Sequence, residues 1–106
     1  MRLYFGRSGS AYVQMPDKKI YALPPRLDLR NHSPSGFGWG YEGSGPAQLA
    51  LALLAHALED DERALLTYQR FKARVIAGLQ PDQGWAMSDS VVRRLAYVCE
   101  LKRVAA

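Results

Sequence analysis

The sequence is poor in the residues that form disulfides, metal sites and membrane spans. It has one cysteine, Cys99, so an intramolecular disulfide is excluded and a reducing compartment is favoured. Its two histidines, His32 and His56, stand far apart, with none of the Cys and His spacings of zinc motifs. The longest unbroken apolar run, Leu49 to Ala55, is far shorter than the roughly 20 residues of a membrane span, and no signal-peptide pattern opens the chain. We therefore predict a cytoplasmic protein that has no metal, no cofactor and no membrane partner.

Complete catalytic motifs are also missing. The segment Gly43-Ser44-Gly45 lacks the lysine of a phosphate-binding P-loop, and Gln48 stands where a dinucleotide-binding loop needs its third glycine. No Gly-x-Ser-x-Gly nucleophile elbow occurs, and Cys99 lies on the apolar face of a predicted helix, where a thiolate is disfavoured. The sequence therefore names no catalytic residue.

Length and composition predict one folded domain over residues 1–106, as a monomer or a small homo-oligomer. The hydrophobic fraction of 48% and the charged fraction of 23% are typical of a globular chain. The net charge is +4, and residues 1–46 hold six Lys and Arg against three Asp and Glu. This bias is compatible with nucleic acid or an acidic protein as partner, but a solvated basic surface explains it equally simply until the charges cluster on one face.

The chain is organised around the segment Ala47 to Leu58. Every residue in it except Gln48 and His56 is Ala or Leu, which are among the best helix formers. A helix that is apolar on all sides must be covered on several sides, so we predict a central, buried helix. Gly45 is the predicted N-cap and Pro46 the first helical residue, which places Gln48 where a capping-box side chain reaches back.

Short aromatic and aliphatic stretches before this helix predict an antiparallel sheet of three to four strands over residues 1–30. Three strands cover Arg2 to Gly6, Ala11 to Met15 and Lys19 to Leu23, with turn residues between them. The segment Arg26 to Arg30 alternates charged and apolar residues, which favours a short edge strand or an extended crossing. A loop of glycines and aromatics follows over residues 31–45.

Two further helices complete the predicted three helices of residues 46–106. The second is predicted from about Glu62 to Ala77, after an acidic N-terminus and before Gly78 as a C-terminal cap. A loop holding Trp85 leads to the third, from Ser88 as N-cap to about Arg103. The predicted class is α+β, with the helices on one face of the sheet. The predicted buried faces are Ala64, Tyr68, Phe71 and Val75 on the second helix, and Val91, Val92, Leu95, Val98 and Cys99 on the third.

Residues 31–54 carry a distinctive signature, and a looser resemblance extends over most of the chain. The signature comprises Asn31-His32-Ser33-Pro34, Gly36-Phe37, Trp39-Gly40-Tyr41 and Gly43 to Ala50. This set of residues resembles the signature of a small family of uncharacterised bacterial proteins found on phages, plasmids and integrative elements. The resemblance implies no activity and no site. It implies a context, since accessory proteins of mobile elements act on host defence, replication or transfer, several of them as small binding inhibitors.

The leading functional hypothesis rests on the aromatic residues of this loop. Phe37, Trp39 and Tyr41 alternate with glycines, so their rings could lie exposed as a docking surface. The alternative is that they cover the buried helix and belong to the core. With a neighbouring basic surface, the loop predicts a non-enzymatic binding protein of a mobile element. Its partner would be a protein or nucleoprotein complex of the host, and one expected role is inhibition of host defence.

A second hypothesis is an enzyme or ligand binder for a small anion. Asn31, His32, Ser44 and Gln48 stand near the start of the buried helix, where backbone N–H groups and the helix dipole favour anions. His32 could act there as a general base. The alternative is that these polar residues cap the helix and tie down turns.

The third hypothesis is direct nucleic-acid binding by the helical half. Arg63, Arg70 and Arg74 fall within about 40° of one another on the second helix, so they could follow a phosphate backbone. Glu59 stands four residues before Arg63, a spacing that favours an ion pair and an ordinary solvated face instead.

Overall fold

Four antiparallel strands and three helices form the molecule, and the predicted α+β class is confirmed. The computed structural model describes residues 1–105, and side chains through residue 101. The strand order across the sheet is β3-β2-β1-β4. In chain order the elements are β1 (Leu3–Arg7), β2 (Ser10–Gln14), β3 (Ile20–Ala22), α1 (Ser44–Leu58), α2 (Asp61–Phe71), β4 (Trp85–Ser88) and α3 (Asp89–Ala105).

One face of the sheet is covered and the other is open. Successive side chains of a strand point to opposite faces, and here Tyr4 pairs with Val13 and Gly6 with Ala11 on the covered face. Tyr4 and Val13 are almost fully buried and join the helical residues in one core cluster. The β1–β2 turn uses Ser8 (φ 54°) and Gly9 (φ 80°), and positive φ at both positions suits the twist of a tight hairpin.

The fourth strand lies where the sequence predicts a loop. Trp85–Ser88 pairs antiparallel with β1, with Gly6 opposite Trp85 and Phe5 opposite Ala86. A strand of four residues is too short to show a period in the sequence, and it becomes a strand because β1 offers it a free edge. The sheet therefore takes its last strand from between the second and third helices.

The strand or extended crossing predicted at Arg26 to Arg30 is wrong, because this segment is a turn. The N–H of Leu29 donates to the carbonyl of Arg26 at 3.0 Å, and Arg26 has a φ of 58°. The guanidinium of Arg26 binds Asp28 (3.1 Å) and Asp61 at the start of α2 (2.8 Å). These hydrogen bonds hold the pKa of both carboxyl groups below its ordinary value. The turn is thus anchored by ion pairs that the alternating pattern does not reveal.

Helix α1 is central and buried, as its composition predicts. Leu49, Leu51, Leu53 and Leu54 have no exposed surface. The helix begins two residues earlier than predicted, with Gly43 rather than Gly45 in the N-cap position. It ends at Leu58, and the C-cap residue Glu59, with a φ of 53°, turns the chain sharply towards the next helix.

Helix α2 ends in a π-helical turn, Lys72–Ile76, that displaces the predicted buried stripe. Its start is capped by Asp60, whose carboxylate accepts the N–H of Arg63 at 3.1 Å. The wider turn changes which residues face the core, so Ile76 is fully buried and Val75 only partly. Gly78 lacks the positive φ expected of a C-terminal glycine cap.

Helix α3 packs through a narrower face than predicted. The hydroxyl of Ser88 accepts the N–H of Val91 at 3.2 Å, so the predicted N-cap is present. Val92 and Cys99 are buried, whereas Val91 and Val98 are 42% and 44% exposed. The neighbouring elements reach only one side of the predicted stripe, so its outer half lies on the surface.

Candidate functional site

Gln48 holds the signature loop against the central helix. Its side-chain oxygen accepts the N–H groups of His32 (2.8 Å) and Ser33 (3.2 Å). Its side-chain nitrogen donates to the carbonyls of Pro25 (2.6 Å) and Arg30 (3.0 Å). The predicted capping-box role is therefore wrong, because Gln48 lies deeper in the helix and is fully buried. All of its strong hydrogen-bonding groups are engaged within the protein.

The other residues of the predicted anion site do not share one environment. The Nε2 atom of His32 lies 2.8 Å from the hydroxyl of the buried Tyr68. The side chains of Asn31 and Ser44 are exposed. His32 meets Gln48 through its backbone N–H, and the polar groups of Gln48 are already in use. The polar residues of the signature thus secure loops to helices.

Two of the three signature aromatics take part in packing. Trp39 is only 4% exposed, its indole N–H donates to the carbonyl of Gln83 at 2.9 Å, and its ring meets Trp85 edge-on at 5.8 Å. Phe37 is partly buried against the core, and its backbone N–H donates to the carbonyl of Gly9. For these two residues the core alternative holds.

Tyr41 is different, because its ring packs closely against the backbone and yet is 52% exposed. Its ring lies against three glycines: a Cβ atom at Gly43 would stand 2.8 Å from ring atom Cε2, and one at Gly45 would stand 3.0 Å from the hydroxyl oxygen. A Cβ atom at Gly38 would also meet the ring. Because glycines lack a Cβ atom, the ring can pack directly against the backbone at these three positions. We call Tyr41 and these three glycines the Tyr41 platform.

The residues on either side of Tyr41 tie this platform to the π-helical turn. The N–H of Gly40 donates to the carbonyl of Ile76 at 3.0 Å. The carboxylate of Glu42 pairs with the ammonium of Lys72 at 3.2 Å. Both neighbours of Tyr41 thus contact the π-helical turn, Gly40 through its backbone and Glu42 through its side chain.

The predicted arginine line of α2 is interrupted. Arg63 pairs with Glu100 of α3 at 2.9 Å and not with Glu59. Arg74 is exposed and Arg70 partly so, and the predicted line is therefore reduced to these two arginines.

Burial raises the pKa of the Cys99 thiol, and the charges of Arg74 and Arg70 oppose this rise only in part. Cys99 is therefore a buried thiol.

A polar cluster that the sequence does not reveal joins β1 to α1. The hydroxyl of Tyr4 lies 2.8 Å from Nδ1 of His56, and Arg2 donates to the backbone carbonyl of His56 at 3.0 Å. Burial raises the pKa of Tyr4 to about 12, so its hydroxyl keeps its proton. The guanidinium of Arg2, which can only donate, lies 3.4 Å from the same Nδ1 atom, and this favours Nδ1 as the acceptor and the Tyr4 hydroxyl as its donor. Burial, and then the charge of Arg2, lower the pKa of His56. Asp89 pairs with Arg2 at 3.4 Å.

We expect this cluster to make stability depend on pH. His56 is neutral in the folded protein, and its folded pKa lies below the ordinary value of 6.5. The stability that it contributes is therefore complete above about pH 6.5 and is lost as the pH falls through the folded pKa. Urea unfolding between about pH 7.5 and 5.5 should show a falling free energy of unfolding.

The matched variant is His56→Asn, whose side-chain oxygen can still accept a hydrogen bond from Tyr4 but cannot titrate. Its unfolding free energy should change less over the same pH range. An equal pH dependence in both proteins would show that His56 is not the group responsible. The carboxyls of Asp28, Asp61 and Asp89, the last of which pairs with Arg2 in this cluster, do not interfere, because their lowered pKa values act below about pH 4.

The described side chains include no group of three or more His, Cys, Asp or Glu residues arranged to hold a metal ion. Over residues 1–105, no helix combines the length and the apolar character needed to cross a membrane.

The fold and these surfaces define a small α+β domain built on a buried helix, with the Tyr41 platform at the N-terminus of that helix. The chain belongs to a family of unknown function (DUF6166), whose model matches residues 4–97. This membership agrees with the resemblance to a family of uncharacterised proteins seen in the signature. No curated protein and no solved structure matches the chain.

Proposed function

We propose that this chain is a non-enzymatic binding protein that contacts a protein or nucleoprotein partner through Tyr41. The observation that carries the proposal is the Tyr41 platform, in which a large ring is half-exposed and yet fixed on three glycines. Such a ring has little freedom to lose when a partner covers it.

Tyrosine is well suited to this role. Binding hot spots are enriched in Tyr, Trp and Arg, because these side chains bury a large area and can also form a hydrogen bond. A side chain that is already held in place avoids the cost of about 0.5–1.5 kcal/mol for ordering it on binding. The hydroxyl of Tyr41 forms no hydrogen bond with the side chains described through residue 101, so a partner can use it as donor or acceptor.

Two observations favour binding over the alternatives. The small-anion enzyme would use Gln48 and His32, but Gln48 has all its polar groups engaged and the His32 ring contacts Tyr68. The arginine track on α2 loses Arg63 to an ion pair with Glu100. Neither alternative retains the set of residues from which it was predicted.

The signature's resemblance to proteins of phages, plasmids and integrative elements extends the proposal. In that context the chain is a cytoplasmic accessory protein of a mobile element, and its partner is a host complex, with inhibition of host defence as one role. Genes for restriction, CRISPR or partition systems beside its gene would support this context. A neighbourhood made up of metabolic genes would count against it.

We expect Tyr41→Ala to weaken binding of the partner by about tenfold or more, the range of an interface hot spot. The tagged chain serves as bait in a host lysate, and proteins retained by the wild type but lost with Tyr41→Ala are identified by mass spectrometry. Each is then purified, and its dissociation constant is measured against both baits.

The control is Tyr97→Ala, which removes another half-exposed tyrosine, on α3. It should leave the partner bound, and Tyr41→Phe should retain most of the affinity because it keeps the ring. Thermal melts establish that all variants are folded. A chain that retains no partner, or whose partners bind Tyr41→Ala as tightly as the wild type, would overturn the proposal.

A further inference from the structure

The face of the sheet opposite the helices carries an ordered set of outward-facing side chains. In register across β4, β1, β2 and β3, one row consists of Ala86, Phe5, Tyr12 and Ala22. The adjacent row consists of Ser88, Leu3, Gln14 and Ile20. Every one of these side chains is exposed or partly exposed. We call these two rows the open sheet face.

The two aromatic rings of this face lie side by side on the two central strands. Phe5 and Tyr12 are stacked, with ring centroids 5.4 Å apart and an angle of 28° between the ring planes. Their neighbours along the row, Ala86 and Ala22, have short side chains and are exposed. Because the two rings face each other, a flat group would stack on the outer face of either ring, next to Ala86 or Ala22, whose short side chains leave room for it.

Positive charge stands at both ends of the face. Arg7 ends β1 on the same side as Phe5, and Lys18 lines the opposite end with Leu3 and Gln14. Lys19 follows in the same hairpin. None of these three cations forms an ion pair with the side chains described through residue 101. The nearby Asp17 accepts the N–H of Lys19 at 3.0 Å.

We infer that the open sheet face binds single-stranded nucleic acid, with unpaired bases stacked on Phe5 and Tyr12 and the phosphate backbone next to Arg7 and Lys18. In one common class of RNA-binding domain, aromatic side chains on a four-stranded sheet stack two or three bases, and in proteins that bind single strands a positively charged groove follows the phosphate backbone. A duplex keeps its base faces in its own stack and cannot use such rings.

The charges also argue against a second copy of the chain as the occupant. In a face-to-face pair with twofold symmetry, an axis along the strands would place Arg7 opposite Arg7. An in-plane axis across the strands would place Arg7 opposite Lys18. Both arrangements bring like charges together, which disfavours the pair, whereas a polyanion complements both ends of the face at once.

The test is fluorescence anisotropy with a labelled oligothymidylate of about twelve nucleotides, a uridine oligonucleotide of the same length and a matched duplex. We expect the wild type to bind at least one single strand about tenfold more tightly than the duplex. Phe5→Ala and Tyr12→Ala should each weaken single-strand binding by about tenfold, as stacking losses do. Arg7→Ala should reduce the slope of log affinity against log salt by about 0.7.

The controls separate this surface from the others. Tyr21→Ala removes an exposed aromatic from the opposite side of the same sheet, and Arg70→Ala tests the helical half; both should change the affinity by less than about twofold. Tyr12→Leu keeps apolar bulk without a ring and should still lose affinity, whereas Tyr12→Phe should retain it. Circular dichroism shows that each variant is folded.

This inference does not depend on Tyr41, so Tyr41→Ala should leave single-strand binding unchanged whatever it does to a protein partner. Preference for one of the two single strands identifies which nucleic acid the face takes. The inference is overturned by the absence of single-strand binding, by equal binding of the duplex, or by loss with Arg70→Ala alone. A dimer in gel filtration that Phe5→Ala dissociates would also overturn it.

Discussion

Replacing Gln48 with leucine should lower the free energy of unfolding by about 3 kcal/mol or more, because the change leaves several part-buried polar groups without partners. The N–H groups of His32 and Ser33 lose their acceptor, and the carbonyls of Pro25 and Arg30 lose a donor. Each unpaired buried group costs about 1–3 kcal/mol. Those that reach water as the loop relaxes cost less, which sets our expectation near the lower end of the sum.

Urea unfolding measures this effect as a lower midpoint at an unchanged slope, and thermal unfolding as a decrease in the melting temperature of about 12 °C or more. Gln80→Leu is the matched control, since Gln80 is exposed, and it should change stability by less than about 0.5 kcal/mol. A loss below about 1 kcal/mol for Gln48→Leu would mean that the loop finds other partners and that Gln48 does not secure it.

Gly40→Ala should destabilise the protein by about 2–3 kcal/mol, because the new methyl group meets backbone and not a movable side chain. Gly40 has a φ of 85°, which an alanine adopts only with strain. Its Cβ atom would stand 2.6 Å from Cα of Pro81 and 2.7 Å from the carbonyl oxygen of Leu79. Since Gly40 precedes Tyr41, the backbone shift at Gly40 should also displace the Tyr41 ring from its contacts with the three glycines and weaken partner binding.

The matched control is Gly78→Ala. Gly78 has an ordinary φ, and the nearest atom to its added Cβ would be the carbonyl oxygen of Val75 at 3.7 Å, an ordinary contact. This change should be neutral or raise stability by up to about 1 kcal/mol, because alanine restricts the unfolded chain. If both alanine variants melted together with the wild type, backbone crowding at Gly40 would be excluded.

Local composition was enough to predict the elements whose structure depends on neighbouring residues in the chain. The Ala and Leu run of α1 has both high helix propensity and no polar face, so its state and its central position follow together. The strands before it and the Ser88 cap also depend on residues close in sequence.

Features that depend on distant residues were missed. Trp85–Ser88 is a strand because it meets the edge of β1, and Arg26 turns the chain because Asp61 lies within reach of its guanidinium. The π-helical turn puts Ile76 where a regular helix would put Val75. Gln48 was assigned a local capping role because its partners are 15 to 23 residues away in the chain.

The exposure of the candidate aromatic residues also depends on distant parts of the chain and not on the local pattern. Phe37, Trp39 and Tyr41 occupy equivalent positions in one glycine-rich pattern, yet Trp39 is buried and Tyr41 is half-exposed. Trp39 is covered because Trp85 and Gln83 arrive from the other half of the chain, and Tyr41 rests instead on its own neighbouring glycines. The sequence by itself determined the class of fold and its buried helix, since these follow from short-range propensity and apolar content. Only the tertiary structure decided which rings and charges face solvent, because that depends on which distant segments come to cover them.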